Sequence, residues 1–221
     1  MTTSEEIQRD PGFRIHRHVL SAGEIETLRM ECDRLATQAG SACVRHIRKK
    51  SERLHALAHH ERLLSLLPSG FHVVRSILFD KTPEENWPVA WHQDLTITVT
   101  RQQDVPGYGP WSVKDGTVHV QPPEELLRHM RTLRIHLDDT PAGNGALRVV
   151  PRSHLVGRTS REAIPAPEHV CECEPGDILE MSPLILHASS RSTAPSRRRI
   201  IHFEYAAPGI LDPALEWGEP T

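Results

Sequence analysis

Val89-Ala-Trp-His92-Gln-Asp94-Leu-Thr-Ile-Thr-Val-Thr100 is the stretch on which the reading of this chain turns. Leu95 to Thr100 alternates weakly, so the stretch is predicted to be extended. On an extended strand, residues i and i+2 share a face, with Cα atoms roughly 6.6–7 Å apart. The His92 imidazole and the Asp94 carboxylate can then close on one metal ion from adjacent corners. As an isolated tripeptide the motif is a common accident. A third ligand has to come from a distant strand, and His187 is the candidate. It follows the apolar run Leu184-Ile-Leu186 and precedes the small residues Ala188-Ser-Ser190, as a residue at a strand end beside a cavity does. The competing reading of His187 is a core histidine bonded to backbone.

Working outward, Phe71–Phe79 reads as a strand with Arg75, Ile77 and Phe79 on one face, and 81–88 as a Pro/Asn loop. Residues 101–122 are rich in Gly, Pro and Trp and show no obvious element. Loops of that length inside a domain are often functional, so Trp111, Lys114 and His119 are candidates to line a substrate mouth. A loop held at the surface by Pro and Trp packing is the alternative. Further strands are expected at Thr132–Leu137, Ala146–Val150, His169–Cys173, Asp177–Met181, Leu184–His187 and Arg198–Ala206, with a short helix at Glu124–Met130. Upstream, Ser21-Ala-Gly-Glu24 is a capping box. Ile25, Leu28, Cys32, Leu35 and Ala39 recur at helical spacing up to a stop at Gly40. A second helical stretch, in one or two pieces, runs from about Ser51 to Leu67. Many short strands preceded by helices predict a mainly β fold, a double-sheet barrel with helices packed on one face. The expected organisation is a single domain, 1–221. It has a tail and extended lead-in over 1–20, helical support over 21–70, a β core over 71–206 and a C-terminal tail over 207–221.

Composition sets limits. The chain has 221 residues, 38% hydrophobic and 25% charged, enough for one sizeable core. A net charge of −3 gives no broad attraction to nucleic acid or anionic membrane. No apolar run approaches the roughly 20 residues of a membrane span, and the start lacks a signal-peptide core. Cys32, Cys43, Cys171 and Cys173 have no C-x-x-C spacing and are expected to be free thiols of a cytoplasmic protein.

Two imidazoles and one carboxylate on one side of a metal leave the opposite positions open, the arrangement of non-haem Fe(II) oxygenases. Arg198, eleven residues after His187, suits the free carboxylate of an organic-acid cosubstrate, which its planar fork can grip with two parallel bonds.

From about Val73 to Tyr205 the chain resembles the phytanoyl-CoA hydroxylase family of Fe(II)/2-oxoglutarate dioxygenases. The resemblance is carried by Trp91-His-Gln-Asp94, Leu137-Asp-Asp139, Asn144-Gly-Ala-Leu147, Val150-Pro-Arg-Ser-His154, Gly176-Asp177, His187-Ala-Ser189 and Arg197-Arg-Arg199. It implies a double-stranded β-helix, the cupin-like jelly roll, with supporting N-terminal helices. It implies that His92, Asp94 and His187 bind Fe(II), and that Arg198 and Ser189 hold the distal carboxylate of 2-oxoglutarate. Arg134 occupies a position that lines the cosubstrate pocket in the family; a surface strand arginine is the alternative. The implied reaction consumes O2 and 2-oxoglutarate, releases succinate and CO2, and hydroxylates a small-molecule metabolite. A related halogenating branch has a small residue where this chain has Asp94, so the carboxylate argues for hydroxylation or desaturation. One departure is Arg152, where the family usually has Gly; it puts a turn in question. The expected protein is a monomer or homodimer. Two other readings stay open: a non-catalytic jelly roll that only binds metal and 2-oxoglutarate, and a Zn-dependent hydrolase on the same ligands. A hydrolase has no need of Arg198 and Ser189.

Overall fold

β-Branched and aliphatic residues recur in short runs from His72 onward, and most of these runs become strands. The computed structural model describes residues 10–164, 166–193 and 196–219. The first nine residues of the expected tail lie outside them. The strands are β1 (Phe13–His16), β2 (Cys43–Arg45), β3 (His72–Lys81), β4 (Val89–His92), β5 (Ile97–Val99), β6 (Trp111–Lys114), β7 (Thr117–Val120), β8 (Met130–His136), β9 (Leu147–Val149), β10 (His169–Cys171), β11 (Ile178–Met181), β12 (His187–Ser189) and β13 (Arg198–Ala206). The helices are α1 (Ala22–Ala39), α2 (Ile47–Lys50), α3 (Glu52–Ala58), α4 (Glu61–Leu64) and α5 (Glu124–Arg128).

A six-stranded sheet in the order β1-β11-β8-β13-β3-β2 and a four-stranded sheet in the order β10-β9-β12-β4 form the jelly roll. At one end an apolar cluster fills the space between them, with Leu147 and Val149 meeting Leu179, Met181 and Ile185. At the other end the sheets enclose a polar cavity. Every residue of β13 is buried, because helices cover one face of its sheet and the cavity lies on the other. The helical face is held by Ile25, Leu28, Cys32 and Leu35 of α1 against Leu133, Ile135, Ile201 and Phe203. Burying one such aliphatic side chain stabilises by about 1.5–3 kcal/mol. The capping box starts α1 as predicted, with Ser21 Oγ accepting from the Glu24 N–H and the Glu24 carboxylate accepting from the Ser21 N–H. Gly40 ends it with φ of 58°. Among the described residues no helix is long and apolar enough to cross a membrane.

Three stretches depart from the sequence reading. The single strand expected over Val89–Thr100 is two, β4 and β5, in different sheets. Leu184–Leu186 is not strand. Its residues are buried on all sides, and β12 starts only at His187. Residues 101–122 are not a bare loop: β6 and β7 form a hairpin that pairs with β5 in a third sheet. The C-terminal stretch is also packed. Trp217 bridges to Val99, and the fully buried Glu219 carboxylate accepts from the Ser76 N–H at 2.9 Å and the Ser76 hydroxyl at 2.6 Å.

Arg152 adopts φ of 68°, the left-handed region in which a side chain crowds its own backbone. This is the turn the missing glycine put in question. Arg152→Gly is expected to raise unfolding stability by about 1 kcal/mol, read as a higher urea midpoint with an unchanged slope.

Candidate metal centre

His92 closes β4 and His187 opens β12, and the two are cross-strand partners. Antiparallel pairing therefore delivers both rings to one side of the smaller sheet, with centroids 4.1 Å apart. Asp94 lies just beyond β4, so the pair is not simply i and i+2 of a continuous strand. Gln93 makes the turn between them. Its buried side-chain amide donates to Gly157 O at 2.8 Å and Leu184 O at 2.5 Å, and its oxygen accepts from the Thr159 N–H at 2.8 Å. The Asp94 N–H donates to Pro183 O at 2.9 Å. Those bonds bring the Asp94 carboxylate to 3.8 Å from Nε2 of both histidines. One donor atom from each of the three residues lies within 4.8 Å of the others.

Both histidines donate Nδ1–H to a backbone carbonyl two residues upstream: His92 to Ala90 O at 2.8 Å, His187 to Ile185 O at 2.9 Å. A carbonyl only accepts, so the proton sits on Nδ1 and the Nε2 lone pair faces the centre, as a metal-ligating imidazole requires. Burial pushes the His187 pKa down to about 4 against the pull of Asp94. Burial would raise the Asp94 pKa, but His187, His202, His92 and Arg75 together hold it down to about 2. At neutral pH His187 is neutral and Asp94 is ionised. Two imidazole nitrogens and a carboxylate, gathered on one wall of a cavity, are a donor set that fits Fe(II).

The cavity, of about 230 Å³, brings these three residues together with Arg198, Ser189 and Arg134. Arg198, 5% exposed, stands at the start of β13. Its guanidinium donates to Gly145 O and, at 3.2 Å, to Ser189 Oγ. No carboxylate among the described residues pairs with it. Gly145 has φ of 69°, and a Cβ there would come within 2.6 Å of Ser190 O, so the close approach to Arg198 needs glycine. Arg134 donates to Nδ1 of His202 at 3.1 Å and stacks over Phe79 at 5.5 Å.

The sequence reading missed Lys81. The alternation of Arg75, Ile77 and Phe79 continues to it, and that was the available signal. Lys81 donates to Trp87 O at 2.6 Å and lies 3.5 Å from Ser189 Oγ. Burial, with help from Arg198 and Arg134, pushes its pKa down to about 7. A carboxylate bound beside Arg198 favours the charged ammonium. Below pH 7 the charge is already present, and above it binding has to take up a proton. The KM for 2-oxoglutarate is therefore expected to be flat below about pH 7 and to rise above it, by up to about tenfold per pH unit. In Lys81→Met that rise disappears.

Trp111, Lys114 and His119 do not line this cavity. Trp111 packs on the core near Val120, Lys114 is exposed, and His119 is buried. The hairpin reaches the mouth through Asp115 at its tip, whose carboxylate accepts from Arg45 at 3.1 Å.

Comparison with known proteins adds to this geometry. The family described as phytanoyl-CoA dioxygenase (PhyH) matches residues 8–200. No curated protein matches the chain. Among solved structures, the fold is similar to that of the non-heme alpha ketoglutarate dependent epimerase SnoN from nogalamycin biosynthesis. That match has a TM-score of 0.71 and 20% identity over 96% of this chain and 91% of the other. It is also similar to the carbocyclase SnoK of the same biosynthesis, with a TM-score of 0.69 and 20% identity over 99% and 93%. HygX from Streptomyces hygroscopicus, solved with nickel and 2-oxoglutarate bound, gives a TM-score of 0.65 and 19% identity over 95% and 88%.

Proposed function

Because the chain belongs to the phytanoyl-CoA dioxygenase (PhyH) family, whose cofactor chemistry is that of Fe(II), 2-oxoglutarate and O2, we propose that it hydroxylates a small-molecule metabolite. His92, Asp94 and His187 hold Fe(II), and Arg198 and Ser189 hold the distal carboxylate of 2-oxoglutarate. Lys81 and Arg134 add positive charge beside that carboxylate. The observation that carries the reading is the convergence of two correctly protonated imidazoles, one carboxylate and an unpaired buried guanidinium on one cavity. When bound, Fe(II) supplies O2 activation coupled to decarboxylation of 2-oxoglutarate, with one oxygen atom entering succinate and the other the substrate.

The protein's own residues orient and exclude. The two Nδ1–H bonds fix ring orientation. Arg198 and Ser189 hold 2-oxoglutarate at the end remote from its 2-oxo group. The walls of Ile77, Phe79 and Ile200 keep water from the C–H bond under attack. Asp94 fills the position at which a smaller residue would leave room for halide, which supports hydroxylation over halogenation.

The test is purified enzyme with Fe(II), ascorbate and 2-oxoglutarate against a broad metabolite panel, under 18O2. Hydroxylation gives succinate together with a product bearing one 18O atom. Turnover that consumes 2-oxoglutarate with no oxygen incorporated into the product, as in ring closure or epimerisation, would sink hydroxylation and leave the Fe(II)/2-oxoglutarate class standing. Turnover indifferent to O2 and 2-oxoglutarate would sink both.

A further inference from the structure

One sheet face forms the floor of the cavity, and its rows follow from strand register. Arg198 pairs with Lys81, Ile200 with Phe79, His202 with Ile77 and Glu204 with Arg75. From Arg198 to Glu204 the strand advances roughly 20 Å. A five-carbon diacid spans only about 6–7 Å, so 2-oxoglutarate held at Arg198 cannot reach the Glu204–Arg75 row. Arg45 stands diagonally across from Arg75, since it pairs with Ile77 two residues along. Both guanidinium groups line the cavity.

The hydrogen bonds at this far end run in one direction. Arg134 can only donate, so Nδ1 of His202 accepts, and Nε2–H of His202 donates to Glu204 Oε1 at 3.2 Å. Arg75 donates to the same oxygen at 3.0 Å. Glu204, buried and bonded from two sides, thus aims Arg75, whose remaining N–H groups have no partner among the described residues. Charge points the same way. With the metal centre loaded, Fe(II), Arg198 and a protonated Lys81 bring four positive charges, and Asp94 and the 2-oxoglutarate dianion bring three negative. Arg45, Arg75 and Arg134 add three more positive charges, against Glu204 as the one further carboxylate lining the cavity, and Asp115 reaches Arg45 only from the exposed surface. Between the two charged rows lie Ile77, Phe79 and Ile200, with His202 paired to Ile77 on the side of the far row.

We infer that Arg75 and Arg45 form the prime-substrate subsite, and that it takes an anionic head group, a carboxylate or a phosphate, on a substrate whose apolar body crosses the Ile77–Phe79–Ile200 strip towards the metal. Glu204 and His202 are positioning residues for Arg75. The inference rests on the Fe(II)/2-oxoglutarate reading, because that reading assigns Arg198 to the cosubstrate.

Anaerobic calorimetric titration of the Fe(II)- and 2-oxoglutarate-loaded enzyme tests it, with hexanoate, hexyl phosphate, hexan-1-ol and hexylamine as probes. At least one anionic probe is expected to bind tenfold or more tightly than the alcohol and the amine, and the tighter of hexanoate and hexyl phosphate identifies the head group. Arg75→Gln should bring the anions down to the level of the alcohol, and Arg75→Lys should keep part of the preference. Equal or undetectable binding of all four probes overturns the inference, as does tighter binding of the amine or an anion preference that survives Arg75→Gln. The Fe(II)–2-oxoglutarate charge-transfer absorption of the same samples reports separately on the cosubstrate reading.

Discussion

Asp94→Ala loses Fe(II) binding at micromolar metal, and 2-oxoglutarate-dependent turnover falls by about 10³-fold or more, the rate equivalent of roughly 4 kcal/mol. The carboxylate supplies the negative charge of the donor set, and no other carboxylate of the cavity stands close enough to both histidines to replace it. The fold should be indifferent to the change. Asp94 is held through its backbone N–H to Pro183 O, and among the described residues its carboxylate pairs with the two histidines, at 3.8 Å. The unfolding midpoint of the metal-free variant is expected to match that of the parent. Loss of turnover accompanied by loss of folded protein would mean that Asp94 is structural.

Arg198→Gln raises the KM for 2-oxoglutarate by about 100-fold, within the roughly 2–5 kcal/mol that follows removal of one partner of a buried, hydrogen-bonded charge pair. The effect should fall mainly on KM, because the guanidinium grips the cosubstrate remote from the reacting carbon and that grip is the same before and during reaction. The structure also predicts the opposite sign for stability. Burial pushes the Arg198 pKa down to about 10, with Arg134 adding to the shift, which marks a cation held in place without a counter-ion. The metal-free, cosubstrate-free variant should therefore unfold at the same temperature or higher, and the stabilisation that 2-oxoglutarate gives the parent should disappear. A KM within twofold of the parent would remove Arg198 from the site.

Much of this architecture can be read from local chemistry. The capping box at Ser21 and Glu24 starts α1, and Gly40 ends it. The spacing of His92, Asp94, His187 and Arg198 announces the site because antiparallel pairing, a local rule applied twice, brings distant strand ends into register. The misreadings arise where tertiary contacts override the local pattern. Alternation runs on through Leu95–Thr100, yet the chain breaks at Gln93 because its amide finds Gly157, Leu184 and Thr159, partners 64 to 91 residues away in sequence. Leu184–Leu186 reads as a strand because it is apolar, and periodicity does not distinguish a buried turn from a buried strand. The hairpin β6–β7 had a signal. Asp115-Gly116 takes positive φ at both positions, 50° and 73°, the backbone of a two-residue hairpin turn for which Asp-Gly is a favoured pair. The surrounding Pro and Gly obscured it. Lys81 stayed hidden because the sequence reading ends the strand at Phe79 and gives 81–88 to a loop, whereas β3 runs on to Lys81. Arg75 stayed hidden for a different reason. A charged residue on an alternating strand reads as solvent-facing, whereas this sheet turns that face towards an enclosed polar cavity.

The most direct measurement is a crystal structure of the protein grown with Mn(II), an inert stand-in for Fe(II), and 2-oxoglutarate. The account predicts one ion bonded at about 2.0–2.2 Å to Nε2 of His92, Nε2 of His187 and a carboxylate oxygen of Asp94, with the far carboxylate of 2-oxoglutarate on Arg198 and Ser189. An ion bound elsewhere, or a histidine of the three turned away with its Nδ1 towards the metal, would contradict it.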